Sequence, residues 1–508
     1  MTLMNKVDYL ELEELDLNKE DKFVQTINIK NDEIYEFNLK NIFSDFKNLG
    51  KQRIICIGNV QSGKTANIIN VINEASNRGI NLVIFFGGNT EVLRLQSENR
   101  LNVLSCNKKI KILGKHVSTG LNNYLSGNYT YVITVMKNKD SFQKIFESLN
   151  NENLKDKKVM LIDDECDYGS VNTSKIGSSE YHKKIFEIYD RLYNVTLISF
   201  TATPFANILN SKDLFNLQEI PKVVVLKNSD EYCGLVEFNK RSNECYLYRY
   251  KDKNNHNVEV SYKNSIEDTF LIYLYDAARK WHDNGYESIE CFETQMLINI
   301  DCENDIHLNV YKTLIDFLKN TFTSIEKRKV AILNEFRKVF INNNNPSFFD
   351  EDMYQEFYSK KIFTLVKYII DNLEKTIIIL NSSENQEKDL FYDKSIKHKI
   401  IIGGVLLSRG VTYENLITEL ILNYPKKTIA VDTLLQRARW FGYRKNDIKY
   451  MKIIMTKELI DIFKITERYL EIFIPGISNY HKLKKYIKNL DALYSQKNIR
   501  STSYGKSR

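Results

Sequence analysis

Residues 53–86 read RIICIGNVQSGKTANIINVINEASNRGINLVIFF, and no other stretch constrains the fold as tightly. Residues 53–57 and 82–86 are short apolar, β-branched runs without polar alternation, as strands buried on both faces require. Between them Ile68, Ile72 and Ala75 recur at helical spacing, and Gly79 stands where a helix C-cap is expected. Strand, loop, helix and strand in so short a span predict a βαβ unit, hence a parallel sheet covered by helices. The loop, Gly58-Asn59-Val60-Gln61-Ser62-Gly63-Lys64-Thr65, fits G-x-x-x-x-G-K-[ST] at every fixed position. Backbone N–H groups along Gly58, Gln61, Ser62 and Gly63 are then expected to cradle phosphates at a helix N-terminus. Lys64 would reach the β/γ-phosphates, and the Thr65 hydroxyl would ligate Mg²⁺. A chance glycine turn is the competing reading, and the strand before and helix after argue against it.

Two further apolar runs end in polar residues. Residues 158–162 lead into Asp163-Asp164-Glu165-Cys166-Asp167. A carboxylate at the carboxyl end of a strand is where a doubly wound sheet presents its ligand-facing groups. In a D-E-x-D reading Asp164 holds Mg²⁺ and Glu165 orients and deprotonates the attacking water. Taken alone, such a cluster is an ordinary solvated turn; downstream of the glycine loop it becomes the expected second half of the site. Residues 195–200 run into Thr201-Ala202-Thr203-Pro204, whose hydroxyls, with Asp167, could couple the γ-phosphate to motion.

In the second half, residues 400–412 form an apolar run with a turn containing Ser408, Arg409 and Gly410. Residues 432–444, DTLLQRARWFGYR, carry Gln436, Arg437, Arg439 and Arg444. Charge developing on a transferring phosphoryl group calls for a pre-positioned guanidinium, so Arg439 and Arg444 are arginine-finger candidates, with Arg437 a third. An arginine beside Trp and Tyr is also an ordinary stacking contact.

In this order the segments resemble motifs I, II, III, V and VI of superfamily 2 helicase-like ATPases. The combination of GxxxxGKT, LIDDECD, TATP, LSRG and RWFGYR resembles the Z1 domain family, prokaryotic helicase-like ATPases associated with restriction and antiphage loci. Residues 87–100 look like its motif Ia, Lys137-Asn138 like a short element before the acidic box, and 296–300 and 377–381 like strands of its second lobe. The likeness spans residues 53–456, with Ala438 where the family is expected to have glycine. It implies an α/β fold of two RecA-like parallel-sheet lobes with an inserted or appended helical module. It also implies ATP and Mg²⁺ as cofactors, Gly410 and Gln436 as further nucleotide contacts, and Ser408 and Arg409 as coupling residues. Nucleic acid, with DNA the expected form, and a separately encoded nuclease or ATPase are the implied partners, in bacterial restriction or antiphage defence. An ATP-gated switch or scaffold without motor work is the alternative.

Composition adds bounds. The 72 Lys+Arg against 65 Asp+Glu leave +7, which permits nucleic acid without requiring it. Seven widely spaced cysteines without a CxxC pair argue against a disulfide framework and a zinc site. No apolar run reaches bilayer length and the acidic start lacks a signal core, so a cytoplasmic location away from membrane is expected. The expected organisation is an N-terminal extension (1–50), lobe one (51–227), a connector with a helix (228–290), lobe two (291–456) with a helical insertion at about 310–373, and a C-terminal helical region with a basic tail (457–508). Asp350, Glu351, Glu356 and Lys360 could be imagined as a nuclease group, but carboxylates along a helix face are ordinary.

Overall fold

The computed structural model describes residues 32–47, 49–88, 100–113, 128–149, 154–166, 180–203, 221–248, 258–300, 303–322, 329–342, 348–380, 393–404, 413–422, 429–467 and 499–500, with Glu98 and Lys485 as single positions. These residues fall into two compact units divided after Ser229.

In the first unit the elements are α1 (Asp32–Ile42), β1 (Lys51–Ile57), α2 (Lys64–Asn77), β2 (Leu82–Phe86), β3 (Ile110–Leu113), β4 (Thr130–Val135), α3 (Lys139–Ser148), β5 (Lys158–Asp163), α4 (Glu180–Arg191), β6 (Asn194–Thr201) and β7 (Lys222–Val225). The strands form one seven-stranded sheet in the order β3-β4-β2-β5-β6-β1-β7, and every pairing is parallel. Alternate residues of each strand enter different cores. Val83 and Phe85 join Ile54, Cys56, Met160 and Ile162 beneath α1 and α2, whereas Leu82, Ile84 and Phe86 join Leu161 and Leu197 beneath α3 and α4. Both faces being apolar is why these runs show no hydropathy alternation. Helix α2 ends in a Schellman motif: Gly79 lies at φ 72, its N–H donates to Ser76 O at 3.1 Å, and the Ile80 N–H donates to Ala75 O at 3.0 Å. Helix α1 belongs to the same body, since Asn38 donates to Asn67 Oδ1 on α2 at 3.0 Å and accepts from Lys227 N at 2.8 Å.

The second unit contains β8 (Tyr232–Cys233), α5 (Leu235–Lys240), β9 (Tyr246–Tyr248), α6 (Val258–Asp283), β10 (Thr294–Asn299), α7 (Asn304–Phe322), α8 (Lys329–Asn342), α9 (Ser359–Asp371), β11 (Ile377–Leu380), β12 (His398–Gly403), β13 (Leu416–Ile421), β14 (Ile429–Ala430), α10 (Val431–Arg437), β15 (Gly442–Tyr443), β16 (Lys452–Met455), α11 (Lys457–Thr466) and β17 (Ile499–Arg500). Its main sheet, also all parallel, runs β11-β12-β10-β13-β16-β9. Residues 228–290, read from sequence as a connector, thus supply this sheet's edge strand β9 and the long helix α6. Residues 270–275 of α6 are buried without interruption, because α7, α8, α9 and the sheet pack around them in one core. The helices at 310–373 share that core, to which they contribute Val310, Leu314, Phe336, Leu365 and Ile369. Glu351 pairs with Arg337 through both guanidinium arms, and Asp350 caps the next turn by accepting from Met353 N at 3.0 Å. Asp350 and Glu351 thus have structural partners, and among the described residues no group of three or more His, Cys, Asp or Glu stands ready to hold a metal.

Six of the cysteines lie among the described residues and are unpaired by disulfides. No helix among the described residues is long and apolar enough to cross a membrane.

A buried polar relay joins β10, β12 and α6. His398 Nε2–H donates to Ile289 O at 3.0 Å, its Nδ1 lies 2.8 Å from Thr294 Oγ1, and that hydroxyl lies 2.8 Å from Tyr273 OH. Burial favours the neutral imidazole, pushing the ring from its ordinary 6.5 down to about 4. Between those values the unfolded chain binds the extra proton, so this ring makes the fold less stable as pH falls from 6.5 towards 4. The loss is about 3 kcal/mol when complete. Denaturant melts of wild type and His398→Asn across that range should diverge at neutral pH and converge towards pH 4. At the start of α2, Gly63 sits at φ 77, so Gly63→Ala should cost about 1–2 kcal/mol in the same melts.

Candidate nucleotide-binding site

Strands β5, β6 and β1 are adjacent, and residues 58–65, 163–166 and 201–203 leave their carboxyl ends side by side. Asp163 pairs with Ser199, and Ile57 with Thr201, so the three segments start nearly level. The Gly58 N–H donates to Thr201 O at 3.0 Å, and the Cys166 N–H to Phe200 O at 3.0 Å. The glycine loop, the acidic box and the threonine turn therefore share one main-chain hydrogen-bond network.

The loop is held in a form that glycine and strain make possible. A side chain at Gly58 would meet Leu226 Cδ1 and Lys64 Cγ at 3.1 Å and Ser62 Oγ at 3.2 Å, so the close approach depends on its missing Cβ. Gln61 holds φ 56, a left-handed value uncommon outside glycine, and its amide Nε2 is buried without a hydrogen-bond partner. Lys64 Nζ donates to Asn59 O at 3.0 Å, folding the ammonium back over the loop it follows. Ser62 is buried, and the Thr65 hydroxyl accepts from Arg100 Nη1 at 3.3 Å.

In the acidic turn Asp164 Oδ1 accepts from the Glu165 N–H at 3.0 Å, and Glu165 itself lies at φ 52. Burial raises the Asp164 carboxyl above its ordinary range, with Lys64 and then Lys137 drawing it back. Lys137, at the end of β4, is buried against the turn with its Nζ 2.6 Å from Asp163 Oδ1. Burial opposes that ammonium's charge, but Asp163 outweighs it and holds the lysine above its usual value. Thr201 and Thr203 are both fully buried, with the Thr203 N–H donating to Thr201 Oγ1 at 2.9 Å. Thr65 and Asp164 offer a hydroxyl and a carboxylate, hard oxygen donors of the kind Mg²⁺ takes beside nucleotide phosphates.

In the second unit, Gln436 and Arg437 end α10, and an inverse γ-turn follows. Ala438 has φ −71 and ψ 79, and the Arg439 N–H donates to Arg437 O at 2.8 Å. That turn needs no positive φ, which is why alanine serves where glycine was expected. Trp440 is fully buried, edge-on to Phe441 at 5.3 Å and Phe463 at 5.2 Å, and anchors the segment. Arg444 is 4% exposed and donates both terminal nitrogens to the carbonyls of Tyr413 and Glu414; burial lowers its guanidinium to about 10. Arg439 is 5% exposed, and its charge acts on the fully buried Glu419, whose carboxyl burial pushes well above the usual range. Asp167, Ser408, Arg409 and Gly410 lie outside the described residues.

Sequence reasoning gave no individual role to Lys137, Asp163, Arg100 or Asn38. Lys137 lay in the short Lys137-Asn138 element, Asp163 in the acidic run and Arg100 in the stretch that resembles motif Ia; Asn38 carried no signal.

Comparison with known proteins finds two domain matches. Residues 265–497 match the model of the Z1 domain, and residues 29–206 match that of the type III restriction enzyme, res subunit. The Z1 match thus covers the later part of the 53–456 span expected from sequence, and the first-half motifs fall within the res-subunit match. No curated protein matches the chain. Among solved structures, the chain is similar to S. cerevisiae Dbp5 bound to RNA and ADP BeF3 (11% identity, TM-score 0.46, covering 90% of this chain and 93% of that one). It is also similar to the Mycobacterium smegmatis helicase Lhr bound to ssDNA and AMP-PNP (11%, TM-score 0.44, 88% and 48%) and to the DUF1998 helicase MrfA bound to DNA (14%, TM-score 0.46, 93% and 53%). On two all-parallel α/β sheets, the chain thus carries a stretch that matches the Z1 domain and, ahead of it, one that matches the res subunit of type III restriction enzymes.

Proposed function

We propose that this protein is a Mg²⁺-dependent ATPase that binds and moves along nucleic acid, DNA before RNA, in restriction or antiphage defence. The observation that carries the reading is the hydrogen-bonded meeting of the glycine loop, acidic turn and threonine turn at the ends of β5, β6 and β1. Gly58, Gln61, Ser62, Gly63 and Lys64 bind the phosphates, and the buried, unpaired Gln61 amide is a donor suited to them. Thr65 and Asp164 hold the metal, which supplies charge neutralisation on the phosphates when bound. Glu165 takes the proton of the attacking water. Thr201, bonded to the glycine loop through the main chain, and Thr203, whose N–H donates to the Thr201 hydroxyl, transmit the state of the site, with Asp167, Ser408 and Arg409 in the same coupling role. Arg439 or Arg444 stabilises the transferring phosphoryl; the Arg444 guanidinium donates to the carbonyls of Tyr413 and Glu414. Gln436 and Gly410 complete the nucleotide contacts. A cytoplasmic setting and a separately encoded nuclease or ATPase partner rest on the Z1 resemblance.

The test is steady-state ATP turnover with single- and double-stranded DNA at low and moderate salt. Glu165→Gln should lower kcat about 100-fold or more while ATP still binds, and Lys64→Ala should weaken binding itself. Stimulation by one DNA form should fade as salt rises. Turnover that is negligible or indifferent to DNA, despite measurable ATP binding, would sink the motor reading and leave an ATP-gated switch.

A further inference from the structure

The acidic turn accounts for almost all of its backbone groups without Lys137, and the remainder with it. The N–H groups of Asp164, Glu165 and Cys166 donate to Phe86 O at 3.1 Å, Asp164 Oδ1 at 3.0 Å and Phe200 O at 3.0 Å. The carbonyls of Asp164 and Glu165 converge instead on one atom, Lys137 Nζ, the second at 3.2 Å. Together with Asp163 Oδ1 at 2.6 Å, they give the ammonium three acceptors for its three N–H donors. The lysine is held in turn: its own N–H donates to Gly88 O at 2.9 Å, and Asn138 beside it caps α3 by accepting from Ser141 N at 2.8 Å. Lys137 therefore links the ends of β2, β4 and β5 at a single buried point. With every donor used, it has none to offer a phosphate.

We infer that Lys137 is the positioning residue of the candidate base: its ammonium holds the carbonyls of Asp164 and Glu165 in the left-handed turn that aims Glu165. This rests on the ATPase reading above. It assigns a chemical reason to the Lys137-Asn138 element, namely that the chain needs a compact cation with three divergent donors at that place. An arginine, planar and broader, would leave donors unpaired in the same space.

The difficulty in testing it is that Lys137→Met strands the buried Asp163 carboxylate, so lost activity could be lost folding. The double variant Lys137→Met/Asp163→Asn removes both charges and separates the two effects. It should recover the thermal stability that Lys137→Met loses, but not the turnover, because the two carbonyls still lack their donor. The expected result is kcat down about tenfold or more, with KM for ATP and the affinity for a non-hydrolysable ATP analogue within about threefold of wild type. If neither methionine variant folds, Lys137→Gln/Asp163→Asn, whose amide brings two donors in place of three, carries the test: kcat should fall by less than the methionine variants predict, but still measurably, with KM and analogue affinity within about threefold of wild type. Wild-type turnover in the double variant would overturn the inference and leave Lys137 as a mere counter-charge to Asp163. A matching loss of analogue affinity would overturn it too, by placing the lysine's effect in nucleotide binding. A wild-type protein that shows no turnover at all removes the ATPase reading itself, a result told apart by measuring wild type and Glu165→Gln first.

Discussion

A parallel sheet must bury both of its faces, and the rest of this structure follows from that requirement. Its strands are joined by crossover helices that have to lie on the sheet, so neither face is left for polar chemistry. Leu82, Ile84 and Phe86 face one helix layer while Val83 and Phe85 face the other, and all five are buried. What polar work the unit does is driven to the strand ends. At the carboxyl ends the turns after β1, β5 and β6 emerge beside one another, with main-chain N–H and carbonyl groups that must find partners among themselves. The Gly58-to-Thr201 and Cys166-to-Phe200 hydrogen bonds are the outcome.

Buried charge is handled differently in the two units. In the first, Lys137 gathers a carboxylate and two carbonyls at the sheet's end, and the cost of burying the ammonium is offset by complete pairing. In the second, Asp276 is set inside the helical core on α6, with Arg279 Nη1 at 2.9 Å and Lys452 Nζ at 3.8 Å. Burial still raises its carboxyl, and its Oδ2 lacks a hydrogen bond. Such an arrangement does little for net stability, and it links α6 to β16 through Asp276 and Lys452. Arg444 does the same for the segment after Trp440, bonding it to residues 413 and 414.

Elements with a strong local signature were legible before any coordinates. The runs at 53–57, 82–86 and 158–162 are strands because β-branched residues without alternation suit a doubly covered sheet, and Gly79 closes α2 because only a residue at ease with φ 72 completes the Schellman motif. The membership of β9 in the second sheet was not legible, since pairing it to β16 joins residues about two hundred positions apart and leaves no local trace. The same holds for α6: its burial on all sides reflects three helices and a sheet arriving from elsewhere in the chain. Around the glycine loop, Asn38 was silent for that reason.

By itself the sequence determined the strand–loop–helix units, the order of the polar turns that follow them, and the residue types those turns carry. Each of these rests on short-range physics: periodicity, missing Cβ atoms, and side chains that cap or cradle nearby backbone. Tertiary structure alone decided that β5, β6 and β1 lie adjacent, that Lys137 reaches the acidic turn from another strand, and that Arg444 is spent on carbonyls while Arg439 stands over a buried glutamate. Those facts depend on which strands pair and which helices cover them, and that choice is made by the burial of whole faces rather than by any local run of residues.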